Sequence, residues 1–347
     1  MIRNIFLVCI SILCISLSCR KTKTFTANEI LNKYKKATEE SLLVREKSSF
    51  KAEMNYSIIM PEGYHPSSDS ITDKYFVLND SNRIDIRTEA RYFDDGIITK
   101  EFERRYLYDN GIAYKLNHHP EEEPSYMFVL MEGSYIGAIR EMAVNANLEG
   151  YSTADDKYLW EIFEEAEDLK LRKNMEMIDG HQTYVLEATI PSQCQFTLWI
   201  DPAFGYNMRK LVKKRYGTAF ADAKPTGGDP SLSPGRSYPQ KEVLYTLNTL
   251  EFEKIGDVFV PVYAEYDYEV TYTNDEKALY QHTYKRTEID LNPDFSKYPD
   301  AFILDVPDGI PIHYYDYMGT GKRFEWWNSQ IVEKENSPTI EESENTK

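Results

Sequence analysis

The side chains from which a catalytic or metal centre would be built are sparse in this chain, and their spacing argues against one. The densest set of ligand types is His118-His119 followed by Glu121, Glu122 and Glu123. Neighbouring residues on a strand point to opposite faces, so two adjacent imidazoles meet one ion only in a bent loop. A polar hairpin tip explains the run without an ion. No His-Glu-x-x-His or Cys-x-x-Cys pair is present to supply ligands at the spacing a site needs. No Gly-x-Ser-x-Gly elbow occurs and Cys194 has no flanking signature, so it reads as a small hydrophobe on or beside a strand. Gly319-Thr320-Gly321-Lys322 lacks the upstream glycine of a phosphate loop, and Arg323 stands where its Ser or Thr belongs. With 57 Asp and Glu, carboxylate pairs arise by coincidence and single out no glycosidase centre. The expectation is a non-enzyme with no cofactor and no metal.

What the chain does carry is alternation and aromatic surface. Along 49–60, Phe50, Ala52, Met54, Tyr56 and Ile58 alternate with Lys51, Glu53, Asn55 and Ser57, so one face is apolar and the other wet. Phe196, Leu198 and Ile200 share a face on 195–201 in the same way. Aromatics make up 14% of the chain, led by 27 Tyr; a tyrosine joins a large apolar ring to a wet tip and suits sheet faces and binding surfaces alike. Tyr263, Tyr266, Tyr268 and Tyr272 with Val270, and the pair Trp326-Trp327, therefore read as sheet packing or as a ligand groove.

The elements that must position these faces are mostly strands. Thr26 and Glu29 form a capping box, and Ile30, Tyr34, Ala37 and Ser41 recur at helical spacing to about Val44. Short strands are predicted at 74–78, 83–89 and 101–108, with a hairpin at Asn110-Gly111. A run at 126–131 leads into a small-residue segment to Asn147 that reads as helical, and Ser152 with Asp155 caps a helix carrying Leu159, Trp160, Ile162, Phe163 and Ala166. Strands resume at 168–177, then 182–190 across an Asp179-Gly180 turn, 195–201, and 207–216 with a basic outer face of Arg209, Lys213 and Arg215. The Pro- and Gly-rich block 217–239 is a long loop. Strands follow at 241–254, 258–272 and 278–290, and Ala301–Val306 with Phe324–Val332 closes the fold.

The amino terminus gives an address. Arg3 precedes an apolar run from Ile5 to Ser18, ended by Arg20, Lys21 and Lys23, which is the pattern of an export signal. The run is shorter than the roughly 20 apolar residues of a membrane span. Ser16-Leu17-Ser18-Cys19 resembles a lipobox, which makes Cys19 the expected site of lipid attachment. Three of the 4 cysteines fall within 1–19, so no disulfide framework is expected. Without residues 1–18 the balance is 39 basic against 57 acidic residues, a net −18, which disfavours nucleic acid and anionic lipid headgroups as partners.

Three pieces, Ile178-Asp179-Gly180-His181, Leu198-Trp199-Ile200-Asp201-Pro202 and Val258-Phe259-Val260-Pro261, together with the opening Ala27-Asn28-Glu29-Ile30-Leu31-Asn32-Lys33-Tyr34, resemble the LolA/LolB-like superfamily. The likeness runs over residues 25–332 and is closest in kind to the outer-membrane lipoprotein-sorting-like envelope proteins. It implies an α+β, mostly antiparallel fold, an incomplete β-barrel wrapped around helices, with an apolar cavity for acyl chains. The expected organisation is a signal peptide (1–18), a lipidated linker (19–25), a half-barrel domain (26–332) and a disordered acidic tail (333–347). Phe50, Met54, Tyr56, Ile58, Phe196, Leu198 and Ile200 are the candidate ligand-binding residues. The expected function is a lipid-anchored envelope lipoprotein, on the periplasmic face of the outer membrane, that binds a lipid or other hydrophobic ligand. The alternative is an anchored sensor or scaffold that binds another envelope protein and carries no ligand.

Overall fold

The computed structural model describes residues 25–44, 47–61, 69–80, 83–109, 112–118, 127–131, 150–152, 157–190, 194–216, 240–306, 308–314, 323–328 and 330–334. The signal and Cys19, the Asn110-Gly111 turn, the segment to Asn147, the loop 217–239 and Gly319–Lys322 lie outside them. So do residues 335–347 and, apart from the backbone of His118, the His118–Glu123 cluster.

Helix α1 (Ala27–Val44) starts as its capping residues dictate. The Thr26 backbone N–H donates to Glu29 Oε2 at 2.8 Å, and the Glu29 N–H returns to Thr26 Oγ1 at 3.2 Å. Its stripe of Ile30, Leu31, Tyr34, Ala37 and Ser41 is buried. The second helix, α2, is shorter than predicted. It spans Leu159–Glu164 and begins where Glu161 Oε2 accepts the Tyr158 N–H at 2.7 Å; Ser152 instead lies in a short strand. Leu159 N–H donates to Gly150 O at 2.6 Å. Gly150 sits at φ +78, and a Cβ there would fall 1.8 Å from the Tyr34 hydroxyl. Glycine is therefore required where this connection crosses α1.

The strands are β1 (Lys47–Ile59), β2 (Ser70–Asp80), β3 (Arg83–Asp94), β4 (Ile97–Asp109), β5 (Ile112–His118), β6 (Met127–Met131), β7 (Tyr151–Ser152), β8 (Lys157–Tyr158), β9 (Lys170–Leu171), β10 (Glu176–Ile178), β11 (His181–Ile190) and β12 (Cys194–Asp201). They continue as β13 (Asn207–Tyr216), β14 (Gln240–Ile255), β15 (Val258–Tyr272), β16 (Lys277–Asp290), β17 (Ile310–Tyr314), β18 (Arg323–Trp327) and β19 (Gln330–Lys334). Apart from the small β7–β8 pair, they form one large open sheet. From one edge, β9 and β10 both pair with β11, and β11 to β16 follow as an antiparallel meander. β16 then pairs with β1, and the meander continues through β2 to β6. β17 joins β6 in parallel, and β18 and β19 complete the other edge. Among the described residues no ladder joins the two edges. Asp95-Gly96 and Asp179-Gly180 turn their hairpins with positive φ at both positions, as a two-residue type I′ turn demands.

Several predicted strands change length. β2, β3 and β4 run well beyond the predicted stretches, because the polar positions that seemed to end them, such as Lys74, Glu89 and Glu101, are solvent-facing members of the same ladders. Of 168–177 only β9 and β10 pair, and Ala301–Val306 forms no strand. The predicted basic outer face of β13 is corrected. Arg209 and Lys213 are 2% and 8% exposed, because both faces of this strand carry cations and pairing with β12 sets Lys213 opposite Phe196. Arg209 holds a corner of the fold. Its guanidinium donates to Asp201 Oδ2 at 3.0 and 3.2 Å and to the carbonyls of Thr249 and Leu250. The rings of Phe204 and Phe252 flank it. The Trp199-Ile200-Asp201-Pro202 signature is thus a structural corner.

Candidate functional site

α1 packs against β11, β13 and β15, which gives the sheet a helix-bearing face and an outer face. Register carries the helix-bearing face from strand to strand. One cross-strand row runs Phe50, Val77, Ile86, Tyr106, Lys115 from β1 to β5. The next runs Arg286, Ala52, Tyr75, Thr88, Arg104, and a third Tyr284, Met54, Asp73, Ala90, Phe102. Two more run Leu211, Leu247, Tyr266, His282, Tyr56 and Lys213, Tyr245, Tyr268, Tyr280, Ile58. In these rows Asp73 is the one carboxylate, against Arg104, Lys115, Lys213 and Arg286. The chain as a whole has 57 acidic and 40 basic residues, so the face reverses the charge of the molecule.

This face has two halves. Under the helices, Phe50, Phe196, Leu198 and Ile200 join Ile30, Tyr34, Leu159 and Phe163 in one buried apolar cluster, with the Phe163 and Phe196 rings edge-on at 6.0 Å. Each such side chain contributes roughly 1.5–3 kcal/mol on burial, so these four of the candidate residues hold the helices to the sheet. Met54 packs against the edge of that cluster, and with Tyr56 and Ile58 it shares a lane of aromatic rings. Tyr266 stacks on His282 at 4.1 Å, His282 lies 4.4 Å from Tyr56, and Tyr280 lies 6.2 Å from Tyr56 and 5.7 Å from Tyr268. The Tyr266 hydroxyl donates to Met54 Sδ at 3.7 Å.

The lane is electrically neutral. Burial pushes His282 down to about 3, so its imidazole is uncharged at physiological pH, and its Nδ1 is buried without a hydrogen-bond partner. Burial pushes Tyr280 up to about 12 and Tyr56 higher still, so both phenols keep their protons. Uncharged ring faces suit an elongated apolar ligand better than a charged one.

Toward β2–β5 the same face turns polar. Asp73 is 9% exposed. The Tyr75 hydroxyl donates to its Oδ2 at 3.1 Å, and Oδ1 is buried without a partner. Thr88, 5% exposed, likewise has an unpartnered Oγ1. Burial raises the Asp73 carboxyl above the ordinary carboxylate range, with Arg104 opposing through space. Arg104 Nη2 donates to the Tyr92 hydroxyl at 3.2 Å, and its guanidinium lies 4.0 Å from the Phe102 ring centre. Burial, followed by repulsion from Arg104, lowers Lys115 to about 8.

Sequence periodicity brings Met54, Tyr56 and Ile58 to one wall as predicted. It missed Asp73, Thr88, Arg104, Lys115 and His282. Phe102-Glu103-Arg104-Arg105-Tyr106 carries the signal for one of them, since a strand that places an arginine between two aromatics on its apolar face has charged that face. Of the tyrosines predicted for β15, Tyr266 and Tyr268 line the lane. Tyr263 turns away to donate to Glu265 Oε1. Trp326 is buried in a separate cluster near Val306, and Trp327 is 45% exposed. Among the described residues no group of His, Cys, Asp and Glu is placed to hold a metal ion, and no helix is long and apolar enough to cross a membrane.

No family model matches the chain, and no curated protein matches it. Among solved structures it is similar to a DUF1329 family protein from Desulfovibrio piger, at 13% identity and a TM-score of 0.37 over 79% of this chain and 98% of that one. It is also similar to an outer membrane lipoprotein-sorting protein domain from Vibrio parahaemolyticus, at 12% identity and 0.33 over 74% and 92%, the group to which the sequence resemblance points. MucB, solved in complex with MucA, is similar at 12% identity and 0.23 over 77% and 99%. Superpositions this loose carry no functional argument, which rests on the residues.

Proposed function

We propose that this is an envelope lipoprotein, anchored through Cys19, that binds a lipid or other elongated hydrophobic ligand on the helix-bearing face of a half-barrel. Its role is binding and not catalysis. The observation that carries the reading is the neutral aromatic lane of Met54, Tyr56, Tyr266, Tyr268, Tyr280 and His282 beside buried polar atoms the fold leaves unpartnered. Most buried polar atoms find a partner, and Asp73 Oδ1, Thr88 Oγ1 and His282 Nδ1 are polar points available to a ligand on this face. An acyl chain exchanging water for about 300 Å² of such wall gains roughly 7–8 kcal/mol before losses in freedom, at about 25 cal/mol per Å². Those losses bring the affinity to about the micromolar range.

One experiment tests anchor and ligand together. Cys19→Ser should move the protein from the membrane to the soluble fraction, because acyl chains are its only proposed hold. That soluble form should bind a fluorescent fatty acid saturably, about ten-fold more weakly with Met54→Glu at unchanged melting temperature. Equal membrane retention removes the anchor from the account, and non-saturable binding removes the ligand.

One observation favours an envelope protein as partner instead. Ile97 and Ile98 are 70% and 47% exposed beside the Asp95-Gly96 turn, and Ile59, 54% exposed, lies at the same end of the sheet. A ligand-free scaffold would dock through that end.

A further inference from the structure

Arg104 and Arg105 are neighbours on β4 and face opposite sides of the sheet. On the outer face, Arg105 is neutralised by two hydrogen bonds to Asp85, at 3.0 and 2.6 Å. On the helix-bearing face, Arg104 has only phenols and a ring among the described residues: the Tyr92 and Tyr106 hydroxyls and the face of Phe102. No carboxylate bonds to it among the described residues. A guanidinium offers five donors in a planar fork, so this one retains capacity that the described residues do not use. Lys115 adds a second cation. It pairs across from Tyr106, and its Nζ lies 5.6 Å from that ring centre with no ion pair among the described residues. Thr88 stands directly opposite Arg104 in the ladder, 95% buried with Oγ1 unpartnered. Among the described residues Asp73 is the single opposing charge, and Arg104 reaches it only through space. Two cations, a buried hydroxyl without a partner and one half-satisfied carboxyl therefore share the end of the aromatic lane. Fork geometry and charge together suit a carboxylate or a phosphate.

We propose that Arg104 and Lys115 hold the anionic head group, carboxylate or phosphate, of an amphiphile whose tail lies along the Tyr56–Tyr266–His282 lane. This rests on the ligand-binding reading above and deepens it: the hydrophobic ligand is an anionic one, bound head toward β4 and β5 and tail toward β15 and β16. The chain's net charge of −17 disfavours such a head group on the molecule at large, so the cations of this face give the ligand a preferred orientation.

The test uses the full chain carrying Cys19→Ser, free of detergent, with three probes: a fluorescent fatty acid, the alcohol of the same chain length, and an alkyl phosphate of that length. Each acid should bind at least about ten-fold more tightly than the alcohol, the smallest gain expected of a hydrogen bond between charged partners. Arg104→Gln with Lys115→Gln should erase that preference while alcohol affinity stays within about two-fold, and Arg104→Lys should keep only part of it, because the charge remains while the bidentate fork and the stacking on Phe102 are lost. Equal binding of acid and alcohol by the unsubstituted chain, or a preference that survives the double substitution, overturns the head-group site while leaving the ligand reading intact. No saturable binding of any probe overturns both. Competition by millimolar inorganic phosphate against the acids alone would make this a free-anion site and overturn the amphiphile. Melting curves of each variant separate a lost site from a lost fold.

Discussion

Asp73 and Asp85 are both buried carboxylates on neighbouring strands, and the fold treats them in opposite ways. Asp85, on the outer face and 0% exposed, accepts from both arms of Arg105, from Arg87 at 3.2 Å and from the Phe302 backbone N–H at 3.2 Å. The segment that brings Phe302 there is tied down again where Asp300 accepts from Arg87 and Arg105, and where Tyr298 packs on Phe76 at 5.3 Å. Asp73, on the helix-bearing face, has one phenol and an idle oxygen. A charge that serves architecture has its lone pairs filled, because an unfilled one costs about 1–3 kcal/mol. A charge left half-filled marks a place where the fold gives up stability. On this chain that place lies at the end of an aromatic lane. The two faces of one strand pair thus separate a carboxylate whose lone pairs are filled from one whose lone pairs are not.

The largest way to break this comparison is Asp85→Asn. It leaves Arg105 and Arg87 facing a neutral amide, and breaking a buried pair costs about 3–5 kcal/mol. Both arginines retain some exposure, which places the loss near the lower figure. At about 2–4 °C per kcal/mol for a domain of this size, the melting temperature should fall by roughly 6–12 °C. A fall below about 2 °C would show that the outer-face cluster is ornamental. Asp73→Asn should act the other way and more weakly. Burial raises the folded-state carboxyl above its unfolded value, so the acid contributes its stability at low pH and loses it as pH rises through the folded value. Asparagine is neutral throughout. The variant should be more stable at pH 7 by about 1 kcal/mol, and that advantage should vanish below the ordinary carboxylate range near pH 4. A variant less stable than the parent at pH 7 would show that Asp73 belongs to the architecture after all.

Much of this architecture is legible in the sequence, and what is not has physical reasons. The helix at 27–44, the alternating wall of β1 and the Asp179-Gly180 turn follow from spacing alone, because each depends on residues within a few positions. The long ladders of β2 to β4 are longer than their apolar runs, since strand length is set by the partner strand. Asp73, Arg104 and Lys115 were invisible as a group because they lie on three strands, and only register makes them neighbours. Arg209 and Lys213 were assigned to solvent by residue type, whereas Asp201 and the ring of Phe196 receive them inside. The candidate wall was half legible: Met54, Tyr56 and Ile58 line the lane, while Phe196, Leu198 and Ile200 lie beneath helices whose packing position the sequence does not specify.

The central claim is that the helix-bearing face carries a lipid, and native mass spectrometry of the full Cys19→Ser chain, purified without detergent, tests it most directly. The account predicts a bound fraction heavier than the chain by the mass of an anionic amphiphile, released on denaturation and depleted by Met54→Glu. A chain found only at its own mass, with no lipid in the extract and none taken up from added fatty acid, would contradict it.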